Sequence, residues 1–307
     1  MKKIIFLFFL CVTGTLAVGQ QLPTPATGTI KRFENFPSKY VDPRHVDMWL
    51  PANYSAQKKY AVLYMHDGQM LYDSTVTWNK QEWGVDETAG RLLADNNIRD
   101  CIVVGVWNNN KKRHSEYFPQ KPYESLTPAQ REALLQEART NGSGVFAEKV
   151  QSDAYLKFLV LELKPFIDNH FSTAKGRKNT FIAGSSMGGL ISMYAICEYP
   201  KVFGGAACLS THWPGIFRVE DNPVPAAFLQ YLQMHLPSPK KHKLYFDYGT
   251  ATLDALYPAI QKQADALIAA RGFTAKNWVT RAFEGEEHSE KAWKKRLDIP
   301  LFFLLGK

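Results

Sequence analysis

The chain has 307 residues, of which 45% are hydrophobic, 13% aromatic and 21% charged. These fractions are ordinary for a folded globular protein and exclude disordered and fibrous chains. The formal net charge is +8, but the basic residues form only three short clusters, at Lys111–Arg113, Lys240–Lys243 and Lys294–Arg296. Short clusters of this kind are typical of solvated surface, so we expect no nucleic-acid partner.

The N-terminal residues have the layout of a secretory signal peptide. Lys2-Lys3 precedes an apolar run from Ile4 to Val12, and Ala17-Val18-Gly19 offers small residues for a cleavage site. That run is too short to cross a membrane as a helix, and no later stretch has 18 consecutive apolar residues. We therefore expect residues 1–19 to be removed and residues 20–307 to form one domain. This domain is predicted to be exported, to the periplasm or the extracellular space, without a transmembrane segment.

Three cysteines follow the predicted signal peptide: Cys101, Cys197 and Cys208. An odd number leaves at least one thiol unpaired. Cys101 and Cys208 lie in apolar, strand-like runs, which favours small buried core residues over a disulfide framework. The absence of a Cys-x-x-Cys pair from the sequence excludes a zinc ribbon and a thioredoxin motif.

The predicted elements begin with two extended segments, Thr29–Phe33 and Val46–Leu50, which Pro43 separates and which we predict to be antiparallel edge strands. From Tyr60 onward, short apolar runs alternate with amphipathic helical stretches. The predicted strands are Ala61–Met65, Cys101–Val106, Thr180–Ala183, Gly205–Leu209, Lys243–Phe246 and Trp278–Phe283. The predicted helices between them include Glu148–Phe166, Met187–Cys197, Leu253–Ala270 and Glu290–Leu304. This alternation indicates an α/β fold with a mainly parallel sheet and helices on both faces.

The longest irregular region runs from Asn108 to Gly144 and contains a predicted short helix, Thr127–Arg139. Long loops in compact α/β domains are often lids or binding loops, so this region is a candidate for ligand contact.

Gly184-Ser185-Ser186-Met187-Gly188 fits the pattern Gly-x-Ser-x-Gly with Ser186 at its centre. A predicted strand precedes it and a predicted helix follows it. This is the context of a nucleophile elbow, in which a serine sits on a tight strand-to-helix turn of an α/β hydrolase. Ser185 is a poorer candidate, since the positions two residues either side of it are not glycines.

A serine hydroxyl needs a general base, and in this fold the chain order is serine, then acid, then histidine. Of the eight histidines, His288 alone follows both Ser186 and the plausible acids. The acid is either Asp254, in the loop beyond the predicted strand from Lys243, or Asp247, closer to that strand. We favour Asp254 and leave Asp247 open.

An oxyanion hole requires two backbone N–H groups. The residue after the nucleophile, Met187, supplies one, and we assign the other to Gln69, at the end of the predicted strand that precedes His66-Asp67-Gly68. A competing interpretation makes His66 and Asp67 metal ligands. No matching set of histidines and acids stands out elsewhere in the sequence, so we expect no metal site.

Six strings occur in this order along the chain: Phe36–Arg44, His66–Gly68, Arg113 with Glu116-Tyr117, Gly184–Gly189, Gly249-Thr250 with Asp254, and Glu287–Ser289 with Trp293. Together they resemble the putative esterase family of α/β hydrolases, which includes esterase D, feruloyl esterases, enterochelin esterases and mycolyltransferases. The resemblance covers nearly all of the chain after the predicted signal peptide. It implies an α/β-hydrolase fold and ester hydrolysis without a metal or an organic cofactor.

Five further residues follow strand-like runs and are candidates for lining a substrate cleft: Trp107, Arg113, Tyr117, His212 and Trp213. Aromatic faces could stack on a sugar or on an aromatic acyl group, and the guanidinium of Arg113 could pair with an anion. The alternative for each is ordinary packing of loops.

Together these features predict an exported serine ester hydrolase, with a small-molecule or oligosaccharide ester as its partner. Acylated or feruloylated carbohydrate is the expected substrate. Three alternatives remain open at this point: a siderophore esterase of the enterochelin type, an acyltransferase with the same triad, and a non-catalytic carbohydrate-binding protein on the same fold.

Overall fold

The computed structural model of the protein describes residues 21–139, 142–147 and 149–307. The predicted signal peptide, residues 1–19, lies outside these ranges. Within them, no helix is long and apolar enough to cross a membrane.

Eight strands form one sheet in the order β1-β2-β4-β3-β5-β6-β7-β8. β3 to β8 run parallel to one another. β1 and β2 are antiparallel additions at the edge of the sheet, where β2 pairs with β4. This is the mainly parallel sheet with antiparallel N-terminal strands that the sequence predicts. The strands are β1 Thr29–Phe36, β2 Arg44–Leu50, β3 Ala61–His66, β4 Cys101–Val106, β5 Thr180–Ser185, β6 Gly205–Leu209, β7 Lys243–Gly249 and β8 Trp278–Phe283.

Eleven α-helices lie in the described part of the chain. They are α1 Val85–Ala94, α2 Arg113–Tyr117, α3 Gln120–Glu124, α4 Pro128–Leu135, α5 Ser152–Lys157, α6 Lys164–His170, α7 Met187–Glu198, α8 Val224–His235, α9 Pro258–Ala270, α10 Glu290–Arg296 and α11 Asp298–Leu305.

The sheet separates two hydrophobic cores, because successive side chains of a strand point to opposite faces. In β3, Val62 and Tyr64 belong to one core, while Leu63 and Met65 belong to the other. Helices α5 to α9 pack on the first face, and α1, α10 and α11 pack on the second. All residues of β4 are buried, which explains why an uninterrupted apolar run predicted this strand correctly.

Several helical predictions differ from the structure. The predicted helix Leu253–Ala270 is a 3₁₀ turn at Thr252–Leu256 followed by α9, Glu290–Leu304 is α10 and α11, and Thr127–Arg139 is the shorter α4. The stretch predicted as one helix from Glu148 to Phe166 is α5, a π-helical turn at Phe158–Leu163, and then α6. Pro165 lacks a backbone N–H to continue the regular pattern, which accounts for an irregular turn just before it. Helices α1, α2, α3 and α8 were not predicted, and α2 and α3 lie in the stretch Asn108–Gly144 that was expected to be mostly irregular. Glu148 itself lies outside the described residues.

Candidate active site

Ser186 occupies the turn between β5 and α7, in an unusual backbone conformation with φ 58° and ψ −123°. A positive φ is uncommon for a residue other than glycine and is retained where the surrounding structure imposes it. Ser186 is partly exposed, whereas the neighbouring Ser185 is 3% exposed. The geometry therefore presents Ser186, and not Ser185, at the carboxyl end of the central strands.

His288 follows β8 and is hydrogen-bonded through Nδ1 to Oδ1 of Asp254 at 2.5 Å. The other oxygen of Asp254 accepts hydrogen bonds from Ser210 Oγ at 2.5 Å and from the Gly249 amide at 2.6 Å. Burial opposes ionisation of Asp254, but the hydrogen bonds from His288, Ser210 and Gly249 together lower its pKa. An ionised carboxylate can only accept, so Nδ1 of His288 carries a proton in this hydrogen bond.

Asp247, the alternative acid, is committed elsewhere. It lies on β7, fully buried, and pairs with Arg296 at 2.9 Å. It also accepts a hydrogen bond from the hydroxyl of Tyr245 at 2.9 Å. Burial raises the pKa of Asp247, against the opposing effect of Arg296. Because its oxygens already serve these buried partners, the structure favours Asp254 as the carboxylate that orients His288.

Ser186 and His288 line one cavity of about 420 Å³, which we call the nucleophile cavity. Their side chains are not hydrogen-bonded to each other in this structure, and such contacts often tighten only when substrate binds. The other residues that line the cavity are Asp67, Gln69, Met70, Trp78, Asn79, Gln81, Trp83, Asn108, Asn110, Arg113, Ser185, Glu290 and Trp293.

The two candidate oxyanion-hole amides lie in first turns. Met187 opens α7, and Gln69 lies in the 3₁₀ turn Gly68–Met70 that follows β3. Backbone N–H groups in a first turn have no acceptor within their own helix, so both are available to a ligand. The two turns pack together, since a Cβ on Gly188 would stand 3.4 Å from the Asp67 carboxylate.

Arg113 lines the nucleophile cavity, but its charge is already paired. Its Nε and Nη2 donate to the two oxygens of Asp67, each at 2.7 Å, and Asn108 Nδ2 donates to the same carboxylate at 2.6 Å. Although burial acts the other way, these contacts lower the pKa of Asp67. Arg113 therefore enters the cavity with its Nε and Nη2 already paired to Asp67, and its pairing with an anionic substrate group stays a prediction.

His66 and Asp67 also have protein partners in place of a metal. Nδ1 of His66 is hydrogen-bonded to the hydroxyl of Tyr155 at 2.8 Å, and burial lowers the pKa of His66 to about 3. Among the described residues, no group of three or more His, Cys, Asp or Glu side chains is arranged to hold a metal ion.

The predicted cleft residues take different places. Trp107 is partly buried, donates to Asp47 at 2.8 Å and lines a neighbouring cavity. Tyr117, His212 and Trp213 are buried, so the expectation that they line the nucleophile cavity is wrong. Trp213 Nε1 donates to Gln261 at 2.8 Å, and Nδ1 of His212 is hydrogen-bonded to the hydroxyl of Tyr257 at 2.9 Å.

Several lining residues were missed by sequence reasoning. Trp78, Asn79 and Gln81 belong to the loop between β3 and α1, which has no periodicity to mark it. Trp293 is part of the string after His288, and its ring lies edge-on to that imidazole at 5.0 Å between centroids. The position of Trp293, five residues after the candidate base, was the one sequence feature that could have placed a missed residue in the nucleophile cavity.

The sequence profile of the family described as "Putative esterase" matches residues 39–301. The chain belongs to this family. It is 24% identical over 181 residues to the uncharacterized protein YjcH of Bacillus subtilis, and the match covers 59% of this chain and 60% of that protein. It is 26% identical over 264 residues to an endo-1,4-beta-xylanase/feruloyl esterase of Xylanibacter ruminicola, covering 82% of this chain and 28% of the relative. The chain thus spans about 60% of the length of the first curated relative.

Solved structures establish the α/β-hydrolase fold. A ferulic acid esterase superposes with a TM-score of 0.62 at 17% identity, covering 90% of this chain and 98% of that chain. The enterobactin esterase FES from Shigella flexneri superposes with a TM-score of 0.59 at 17% identity, covering 92% of this chain and 60% of that chain. The prediction of an α/β-hydrolase fold in an esterase family is therefore confirmed.

Proposed function

We propose that this esterase-family chain is a serine carboxylic-ester hydrolase with Ser186 as nucleophile, His288 as general base and Asp254 as the orienting acid. The observation that carries the proposal is the 2.5 Å hydrogen bond between His288 and Asp254, beside a serine held at positive φ on the same cavity. The amides of Gln69 and Met187 form the oxyanion hole.

The reaction has two halves. Ser186 Oγ bonds to the ester carbonyl carbon while its proton passes to Nε2 of His288, and the two amides hold the oxyanion. The carbon–oxygen bond to the alcohol then breaks, and His288 returns the proton to that alcohol. Water, deprotonated by His288, attacks the acyl-serine, which releases the carboxylic acid and restores the Ser186 hydroxyl. Asp254 keeps Nδ1 protonated throughout and stabilises the imidazolium.

The nucleophile is tested with a fluorophosphonate probe and with Ser186→Ala. We expect wild type to be labelled at Ser186 and the variant to lose at least 10³-fold in kcat on a small aryl ester, since the covalent step is removed. Ser238→Ala, an exposed serine remote from the cavity, is the matched control and should be labelled like wild type. Full activity in Ser186→Ala would contradict the assignment.

We propose acylated or feruloylated carbohydrate as the substrate class. Similarity to a protein named as a xylanase/feruloyl esterase supports this choice. The test is a hydrolysis screen across acetyl-xylan, feruloyl-oligosaccharide and catecholate siderophore esters. Turnover of the siderophore ester alone would overturn the carbohydrate assignment.

We also propose that the protein is exported. Lys2-Lys3, the apolar run after it and Ala17-Val18-Gly19 support cleavage before Gln20. N-terminal sequencing of the protein recovered from outside the cytoplasm is expected to begin at Gln20. Recovery only from the cytoplasm with Met1 intact would reject export.

A further inference from the structure

A second cavity of about 420 Å³ adjoins the nucleophile cavity, and we call it the side cavity. The two share Gln69, Trp78, Asn108 and Asn110 as lining residues. A volume of this size is within the usual range of small-molecule sites, about 300–1,000 Å³. A ligand whose reacting carbon lies at Ser186 can therefore extend past Gln69 into the side cavity.

Trp78 stands at the junction of the two cavities and is 82% exposed. Its indole makes no hydrogen bond or ring contact with any residue in the described part of the chain. An aromatic side chain offers about 150–250 Å² of surface for burial, so folding alone gives no reason to leave this one in water. Its position points to a ligand that covers the ring.

The loop that carries Trp78 is held in place by its own polar contacts. Asn79 Nδ2 donates to Glu290 at 3.0 Å, which ties the loop to α10, just after His288. Thr75 donates twice to Asp73, and Ser74 N donates to Glu82 at 2.7 Å. A fixed aromatic surface binds with a smaller loss of conformational entropy than a mobile one.

The remaining lining of the side cavity is polar and nearly neutral. It offers the side chains of Asn35 and Asn110 and the amide oxygens of Asn108 and Asn109, whose Nδ2 atoms already donate to Asp67 and Asp42. Burial lowers the pKa of His45, and Arg44 is neutralised by a bidentate pair to Glu116, at 2.8 Å for both bonds. Such a lining suits hydroxyl groups and offers no free charge to an anionic ligand.

We propose that the side cavity binds the neutral carbohydrate portion of the ester, with Trp78 stacking on a sugar ring and the asparagine run bonding its hydroxyls. This inference rests on the proposed function and deepens it by assigning the site that receives the alcohol half of the substrate. Trp78 is then a specificity-determining residue.

The kinetic test compares two substrates that share one acyl group: methyl ferulate, and ferulate esterified to an arabinoxylo-oligosaccharide. We expect Trp78→Ala to lower kcat/KM for the oligosaccharide, through KM, about tenfold more than it lowers kcat/KM for methyl ferulate. Trp78→Phe should recover part of the loss. Phe302→Ala, which removes another exposed aromatic ring on α11, is the matched control and should change neither substrate.

The outcomes separate the two proposals. Equal losses on both substrates would place the acyl ring on Trp78 and overturn the carbohydrate assignment, and no loss on either would overturn the role of Trp78. If wild type hydrolyses neither ester, the proposed function itself fails.

Calorimetric titration of unesterified xylotetraose measures binding without any chemical step. Binding to wild type that Trp78→Ala abolishes supports the site, and equal binding by both proteins overturns it.

Discussion

The hydroxyl of Ser210 links the proposed triad to helix α10 through hydrogen bonds. Ser210 is fully buried, with φ 42°, and its hydroxyl donates to Asp254 at 2.5 Å. The same oxygen accepts from Trp293 Nε1 at 2.9 Å and from Arg296 at 3.0 Å. One side chain therefore fixes the second oxygen of the acid and connects it to α10. We regard Ser210 as a positioning residue for Asp254.

Removing this hydroxyl is expected to slow the reaction without weakening substrate binding. Ser210→Ala should lower kcat about tenfold with KM unchanged, because a bond to a charged group contributes about 1.5–3 kcal/mol. Steady-state kinetics on a small aryl ester measures this. The pH–rate profile should change as well, since Asp254 loses one of the contacts that lower its pKa.

Ser210→Gly is the control for backbone strain. Glycine adopts the left-handed conformation without cost, while alanine there costs about 1–2 kcal/mol. Both variants lack the hydroxyl, so their kcat values should agree. Urea unfolding should show Ser210→Gly to be more stable than Ser210→Ala. A glycine variant with wild-type kcat would show that the hydroxyl does not position the acid.

At the scale of elements, β5 and α7 meet at two glycines. A Cβ on Gly184 would lie 2.8 Å from the backbone of Gly188, closer than real Cβ contacts. A Cβ on Gly188 would lie no closer than 3.4 Å to its neighbours, which is ordinary contact. The tight crossing that exposes Ser186 thus depends far more on Gly184 than on Gly188.

The pair of substitutions Gly184→Ala and Gly188→Ala tests this asymmetry. Gly184→Ala should destabilise the fold by about 1–3 kcal/mol through overpacking and should abolish fluorophosphonate labelling. Gly188→Ala should label within threefold of wild type. Thermal unfolding together with labelling rates measures both effects, and similar behaviour of the two variants would refute the steric argument.

The segment before β1 is attached to α1 through Asp86. Oδ2 of this buried residue accepts the Ala26 amide at 2.6 Å, and Thr27 Oγ1 donates to its carbonyl at 2.8 Å. Burial, together with the neighbouring carboxylate of Glu87, raises the pKa of Asp86 from 3.8 to about 7. The folded chain therefore binds a proton that the unfolded chain has released between these two pH values.

This linkage has a definite sign. As pH rises from about 4 to about 7, the contribution of Asp86 to the free energy of unfolding falls, and above pH 7 it is constant. Asp86→Asn keeps an accepting oxygen but cannot ionise. Urea unfolding at pH 4, 6 and 8 should show the variant gaining stability relative to wild type as pH rises. A constant difference would rule out ionisation of Asp86 as the cause.

At the scale of the whole molecule, Cys101, Cys197 and Cys208 are free, buried and spread over β4, α7 and β6. Burial raises the pKa of Cys101 to about 12, so its reactive thiolate is absent from the native state at neutral pH. We expect all three thiols to resist a disulfide reagent in the native protein and to react together on unfolding. Rapid labelling of one thiol in the native protein would reveal a local opening.

Much of this architecture could be predicted from the sequence, because buried parallel strands are uninterrupted apolar runs. The candidate nucleophile and base could also be identified from the sequence, because the Gly-x-Ser-x-Gly motif selects Ser186 and the chain order of the triad selects His288. The sequence favoured Asp254 but left Asp247 open, because Arg296, which pairs with Asp247 in the fold, lies 49 residues further along the chain. Helix α1 was missed because Val85, Asp86 and Ala89 are all buried, which obscures an amphipathic pattern.

The strand order places different groups of candidate site residues on the two sides of β5. On one flank, β7 and β8 lead to Asp254 and His288, the proposed acid and base; on the other, β3 and β4 lead to Gln69 and Asn108. The segments 70–84 and 107–112, which line the two cavities, contain none of the proposed triad residues and lie beyond Gln69. Exchanging them is expected to change substrate preference while Ser186, Asp254 and His288 stay in place, provided that the contact between Asn79 and Glu290 is kept. The sheet is in this sense a modular scaffold for evolution and for design.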